Sequence, residues 1–127
     1  MKDYLYDYNE EELKSSFGKS LKKIRDYTKF TLKDIEKLTG ISNSLISRYE
    51  NQKVEPSITQ AILIANVFLL EVEDFIFAGL HQSEMEDEII HRFFNAIKEF
   101  VRTTNINGKK LLQKVFEHVD IEKILIA

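Results

Sequence analysis

Four residues, Thr39-Gly40-Ile41-Ser42, separate two short helical patterns, and no feature of this 127-residue chain constrains its fold more. A turn of that length containing Gly is too tight for its helices to lie antiparallel; it sets them at a steep angle. Ahead of the turn, Thr31-Leu32-Lys33-Asp34 reads as a capping box. The helix it opens has Ile35 and Leu38 as apolar positions and ends at Gly40, since Gly tolerates left-handed backbone. Beyond the turn, Ser42 is a good N-cap for a helix over Asn43–Glu50, with Ile46 and Tyr49 turned inward, and Asn51-Gln52-Lys53 stops it. Ile35, Ile41 and Ile46 are expected to meet in a small core.

The flanking segments are helical by the same spacing. Phe17, Leu21 and Ile24 recur at four and three residues with Lys19, Lys22, Lys23 and Arg25 between them, the pattern of an amphipathic helix. Pro56-Ser57 opens a fourth helix, with Ser57 as cap, Gln60 closing the box, and Ile58, Ala61, Ile62, Ala65, Val67, Phe68 and Leu69 as its apolar residues. A short fifth helix, Val72–Phe77, is expected to finish the domain before Gly79. After a linker over 79–83, Ser83 and Glu86 form another capping box. Ile89, Ile90, Phe93, Phe94, Ile97, Phe100 and Val101 then make one stripe. A turn at Asn105-Ile106-Asn107-Gly108 leads to a second stripe of Leu111, Leu112, Val115, Phe116 and Val119, and Asp120 is placed to cap a last turn through Leu125. One Pro and four Gly are too few for an all-β sandwich. No Cys is present, which excludes a disulfide scaffold, a thiol nucleophile and thiolate metal sites, and fits a reducing cytoplasm. The start, MKDYLYDYNEEE, lacks the apolar run of a signal peptide, and the longest apolar stretch, Ala61 to Leu70, is far short of the ~20 residues that span a bilayer.

A net charge of −3 looks wrong for a nucleic-acid binder, but the charge is unevenly placed. Residues 1–13 carry −4, residues 14–56 carry +5 from ten Lys/Arg against five acids, residues 57–90 carry −7 with no Lys or Arg, and residues 91–127 carry +3. A basic block between acidic ones is a polarised molecule, although a solvated Lys-rich helix face would account for it equally.

The third helix separates these readings. Its outward face is Asn43, Ser44, Ser47 and Arg48, short polar side chains able to hydrogen-bond base edges and one Arg able to bond guanine bidentately. No Lys lies between Asn43 and Gln52, whereas a plain surface helix would show Glu/Lys pairs. Two helices so joined form a helix-turn-helix unit. The run Phe17-Gly18-Lys19-Ser20-Leu21-Lys22-Lys23-Ile24-Arg25, then Thr31-Leu32-Lys33-Asp34-Ile35, Thr39-Gly40-Ile41-Ser42, Ser42-Asn43-Ser44-Leu45-Ile46-Ser47-Arg48-Tyr49-Glu50-Asn51 and Pro56-Ser57 resembles the Cro/C1-type (Xre) helix-turn-helix regulators of bacteria and phages. The likeness covers about residues 15–77.

The resemblance implies an all-α fold: a five-helix lambda-repressor-like DNA-binding domain over 15–78, preceded by an acidic segment (1–14) and followed by a helical hairpin (84–127). It implies a recognition helix in the major groove with Asn43, Ser44, Ser47 and Arg48 facing bases. It also implies phosphate contacts from Thr31, Asn51 and Lys53, to which the basic block adds Lys33. Arg25 and Glu50 match positions that pair in several members. Two residues depart from the pattern. Leu32 cannot clamp a phosphate, which moves that role to the Thr31 hydroxyl or to backbone N–H groups. Glu36 stands where the family usually has Ala, and its carboxylate must reach solvent or find a partner.

The hairpin is expected to be a homodimerisation element through Phe93, Phe94, Ile97, Phe100, Leu112, Val115 and Phe116, because a single helix-turn-helix reads only a half-site. The alternatives are that it completes one core, or that it receives a protein or peptide antagonist. His81, His91 and His118 are scattered, no metal spacing or cofactor loop is found, and no nucleophile has a plausible base, so no enzyme is expected. Tyr4, Tyr6 and Tyr8 read as a frayed terminus. The reading is a cytoplasmic, sequence-specific DNA-binding transcriptional regulator, a repressor acting as a dimer with no membrane association. The alternative is an antitoxin-like protein whose tail binds another protein.

Overall fold

The computed structural model describes residues 9–80, 88–104 and 107–127. Among these it has eight helices and no strand: α1 Glu10–Thr28, α2 Leu32–Thr39, α3 Asn43–Glu50, α4 Ile58–Val67, α5 Val72–Leu80, α6 Glu88–Thr103, α7 Gly108–Val115 and α8 Ile121–Ile126. The Ser83–Glu86 box, His81, Tyr4, Tyr6, Tyr8, Asn105 and Ile106 lie outside the described residues.

α1 begins earlier than its apolar repeat. The Asn9 side chain caps it by accepting from the Glu12 N–H at 2.8 Å, and Glu10, Glu11 and Glu12 in the first turn oppose the positive end of the helix dipole. Residues 10–14, set apart in the sequence as part of an acidic N-terminus, are therefore the first turns of this helix. One face of α1 buries Phe17, Leu21 and Ile24 together with Ser16, Gly18 and Ser20. These small residues let backbones approach. A Cβ on Gly18 would stand 2.1 Å from the Tyr49 carbonyl of α3, and one on Gly79 would stand 2.0 Å from the Ser16 carbonyl. The Ser20 hydroxyl donates to the Phe75 carbonyl at 2.6 Å, tying α1 to α5. α5 consequently runs through Gly79 to Leu80 instead of stopping before it; with no side chain at that position, the helix can continue against α1.

The local signals around the turn give the elements expected of them. Thr31 and Asp34 close a reciprocal capping box, and Gly40 ends α2 with φ 81°. Ser42 caps α3 through the Leu45 N–H. Ile35, Ile41 and Ile46 are all buried, but Leu38 is 54% exposed. α2 is only two turns long, and Ile35 is its one buried residue. Ser57 caps α4, yet Gln60 does not close the box: its side-chain oxygen accepts from the Tyr49 hydroxyl and links α4 to α3. Ile58 and Ile62 of α4 face outward; Ala61 and Ala65 are buried as expected, together with Ile64.

The C-terminal helices complete the same core. Phe116 stacks on Phe30 at 5.6 Å between ring centroids and meets Phe93 edge-on at 5.1 Å, while Phe93 meets Phe68 at 6.3 Å. Rings from the α1–α2 loop, the end of α4 and the tail thus form one aromatic cluster. Arg92 of α6 donates to Asp74 of α5 at 2.7 Å and to Glu88 at 2.8 Å. Gln113 donates to the Val119 carbonyl at 2.8 Å and accepts from the Ile121 N–H, fixing the bend between α7 and α8, and Asp120 caps α8.

The expected interface stripe is corrected by this packing. Phe93, Ile97, Leu112 and Phe116 are each at most 3% exposed, inside the chain's own core. Phe94 and Phe100 are half-buried and Val115 is exposed. Two helices alone bury little apolar surface, and Phe30 and Phe68 supply the rings on which the stripe closes.

Candidate nucleic-acid interface

The candidate surface is set by how α3 is held. The sole acid of α3, Glu50, is withdrawn from the outer face. It is 6% exposed and takes a bidentate pair with Arg25 of α1, Nε–Oε2 at 2.5 Å and Nη2–Oε1 at 2.9 Å. Arg25 spends its third nitrogen on the Phe30 carbonyl at 3.0 Å. The hydrogen bonds to Glu50 hold the Arg25 guanidinium above its already high ordinary pKa, against the opposing effect of burial. The pair named from the sequence is therefore formed, and it couples α1, α3 and the loop ahead of α2. On the other side, Tyr49 is anchored on Gln60, and burial pushes its phenol pKa up. Tyr27, edge-on to Phe94 at 5.7 Å, is raised by burial and by the charge of Asp120.

With its inner face so fixed, α3 turns Ser44 and Arg48 to solvent and leaves Asn43 and Ser47 half-buried. Arg48 takes part in no ion pair or side-chain hydrogen bond among the described residues, nor do Lys29, Lys33 or Lys53, all exposed. Ser47 accepts from the Asn51 amide at 3.3 Å, which leaves its O–H proton available and folds the Asn51 side chain back onto α3. Thr31 accepts from the Asp34 N–H at 3.0 Å while its own N–H is taken by the Asp34 carboxylate at 2.7 Å. Of the substitutes for the clamp missing at Leu32, the Thr31 hydroxyl proton has no acceptor among the described residues, and of the backbone N–H groups that of Thr31 is occupied.

Glu36 finds its partner on α3: its Oε1 accepts from the Asn43 Nδ2 at 3.0 Å. The sequence marked Glu36 as a departure without saying what it would meet, because the meeting depends on the angle between α2 and α3. Lys29 is legible in the sequence only as one of the lysines of the basic block, without a contact of its own. It lines a groove of about 700 Å³ with Thr31, Lys33 and Asn43, where the loop after α1 passes the start of α3. Its position after the last turn of a basic helix is the one signal that could have found it. Among the described residues no group of His, Asp and Glu could hold a metal ion, and no helix is long and apolar enough to cross a membrane.

Two short helices at a Gly turn, the second held by its neighbours with an acid-free polar face, define a helix-turn-helix DNA-binding domain. The helix-turn-helix family model matches residues 21–75, so this stretch is similar to helix-turn-helix domains of the Cro/C1 type, and further helices follow it among the described residues. DNA-binding transcription regulation is the general function this domain carries. No curated protein and no solved structure gives a match.

Proposed function

We propose that the protein is a cytoplasmic, sequence-specific repressor that occupies promoter DNA as a homodimer, with α3 lying in the major groove. The observation that carries this is the outer face of α3. Asn43, Ser44, Ser47 and Arg48 stand together, the helix's only carboxylate is buried against Arg25, and exposed Lys29, Lys33 and Lys53, without an ion pair among the described residues, flank the helix. In this reading Arg48, Asn43, Ser44 and Ser47 meet base edges, while Thr31, Lys33 and Lys53 meet phosphates. Asn51 acts by steadying Ser47. Half-sites about 34–36 Å apart then call for two copies. With most of the aromatic stripe inside one chain, exposed Leu111 and Val115 on α7 and Ile126 on α8 offer apolar surface to a second copy.

Selection of bound sites from random duplex DNA tests the reading. Paired half-sites are expected, with log K falling against log salt by about 0.9 per phosphate neutralised. Arg48→Ala is expected to relax preference at one base pair by about 1–3 kcal/mol. Failure of any duplex to bind at low salt overturns the DNA-binding reading, and a monomer on operator-length DNA in sedimentation overturns the dimer.

A further inference from the structure

We infer that Glu36 is a specificity-determining positioning residue: through its hydrogen bond to Asn43 it presets the Asn43 carboxamide to read adenine. The inference rests on the DNA-binding reading above and goes beyond it by assigning a base to one side chain and a role to a residue that touches no base.

The chemistry follows from donors and acceptors. A carboxamide can be turned either way about its last bond, and its two ends are nearly alike in shape. A carboxylate breaks that symmetry, because it only accepts. Glu36 Oε1 lies 3.0 Å from the Asn43 amide, so the nitrogen must face it and the oxygen must face away. One N–H is then consumed. The amide is left with one N–H and one carbonyl oxygen, and Asn43 lines the groove that also holds Lys29, Thr31 and Lys33. Adenine presents N7 as acceptor and N6–H as donor in the major groove, the complement of that remaining pair. Guanine offers two acceptors there and would leave the Asn43 oxygen facing O6 or N7. Fixing the amide before binding removes the ordering cost of choosing the correct orientation. Unlike an Ala at the same position, Glu36 also brings a negative charge close to phosphates, so it lowers affinity for every duplex while sharpening the choice among them.

That opposition supplies the test. The full chain and its Glu36→Ala, Glu36→Gln and Asn43→Ala variants are put through random-duplex selection, followed by titration of the best site and its single-base variants. Wild type is expected to enrich adenine in the column that Asn43→Ala erases, with discrimination of roughly five- to hundredfold, the range of one good bidentate contact. Glu36→Ala should cut that discrimination severalfold in this column alone, leave the Arg48 column intact, and bind a scrambled duplex more tightly than wild type. Glu36→Gln, which can face Asn43 with either end of its own amide, should fall between them. Thermal melting of each variant checks that the fold is kept. An adenine column unmoved in Glu36→Ala overturns the inference, as does a loss spread evenly over all columns, which is the mark of a merely structural tie between α2 and α3. A wild-type column that favours another base overturns it too. Absence of any enriched duplex for wild type instead removes the DNA-binding reading and this inference with it.

Discussion

Arg25→Met isolates the interaction that holds α3 in place. Methionine keeps the aliphatic stem of Arg25 and ends where the guanidinium begins, so the charge and all five N–H donors are lost while the stem's packing is kept. What remains is Glu50, 6% exposed, with both oxygens stripped of their partner, and a Phe30 carbonyl without its donor. Leaving one member of a buried pair uncompensated costs about 3–5 kcal/mol. For a chain of this size that corresponds to a drop in Tm of roughly 10–20 °C. Urea and thermal unfolding followed by circular dichroism read it directly. The double variant Arg25→Met/Glu50→Leu replaces the pair by apolar groups and is expected to recover most of the loss, to within about 1 kcal/mol of wild type, because neither charge then has to be desolvated. The loss in Arg25→Met should persist at 1 M salt, where exposed pairs are screened over a Debye length of about 3 Å. An Arg25→Met protein within about 1 kcal/mol of wild type would refute the argument, since it would make the contact an ordinary surface pair. So would a double variant as unstable as the two single changes added together.

Three other perturbations address the packing around the site. Gly18→Ala places a methyl 2.1 Å from the Tyr49 carbonyl and should destabilise by about 3 kcal/mol or more as α1 and α3 are forced apart. Gly40→Ala meets nothing within 4 Å and should cost only about 1 kcal/mol from its positive φ, so their order in urea midpoints is the check. Phe116→Ala should cost about 3–5 kcal/mol and lower the single unfolding transition of the whole chain; a separate early transition that leaves the other helices unaffected would show the tail to be an independent unit. Burial raises the Tyr49 and Tyr27 phenols. The stability this contributes is therefore whole below the unfolded value of about 10 and is lost as pH rises through the higher folded value. Urea midpoints should fall above about pH 10, less so in Tyr49→Phe, and an equal fall in both proteins would count against burial of that hydroxyl as the cause.

The parts of this protein legible in its sequence are those fixed within a few residues. Asn43–Glu50 forms a helix because Ser42 caps it, α2 stops because Gly40 alone takes the left-handed turn cheaply, and the box between Thr31 and Asp34 closes within one turn. Such hydrogen bonds depend on spacing, and spacing is written in the chain. The polar face of α3 and the pairing of Arg25 with Glu50 could be named in the same way, the first from residue type and the second from the resemblance.

What spacing does not contain is which of several apolar faces goes inside. Phe93, Ile97, Leu112 and Phe116 make an amphipathic stripe that would suit a second copy equally well; only the position of Phe30 and Phe68 beneath them turns it into core. Ile58 and Ile62 read as apolar positions of α4 and face water, while Ser16 and Gly18, outside the apolar repeat of α1, are buried, because burial depends on how closely another backbone comes. The link from Glu36 to Asn43 arises from the crossing of two helices. Local hydrogen bonding and side-chain periodicity thus determined the elements and the polar face of α3, and long-range packing, where shape and desolvation act between segments far apart in the chain, decided the partners of each face.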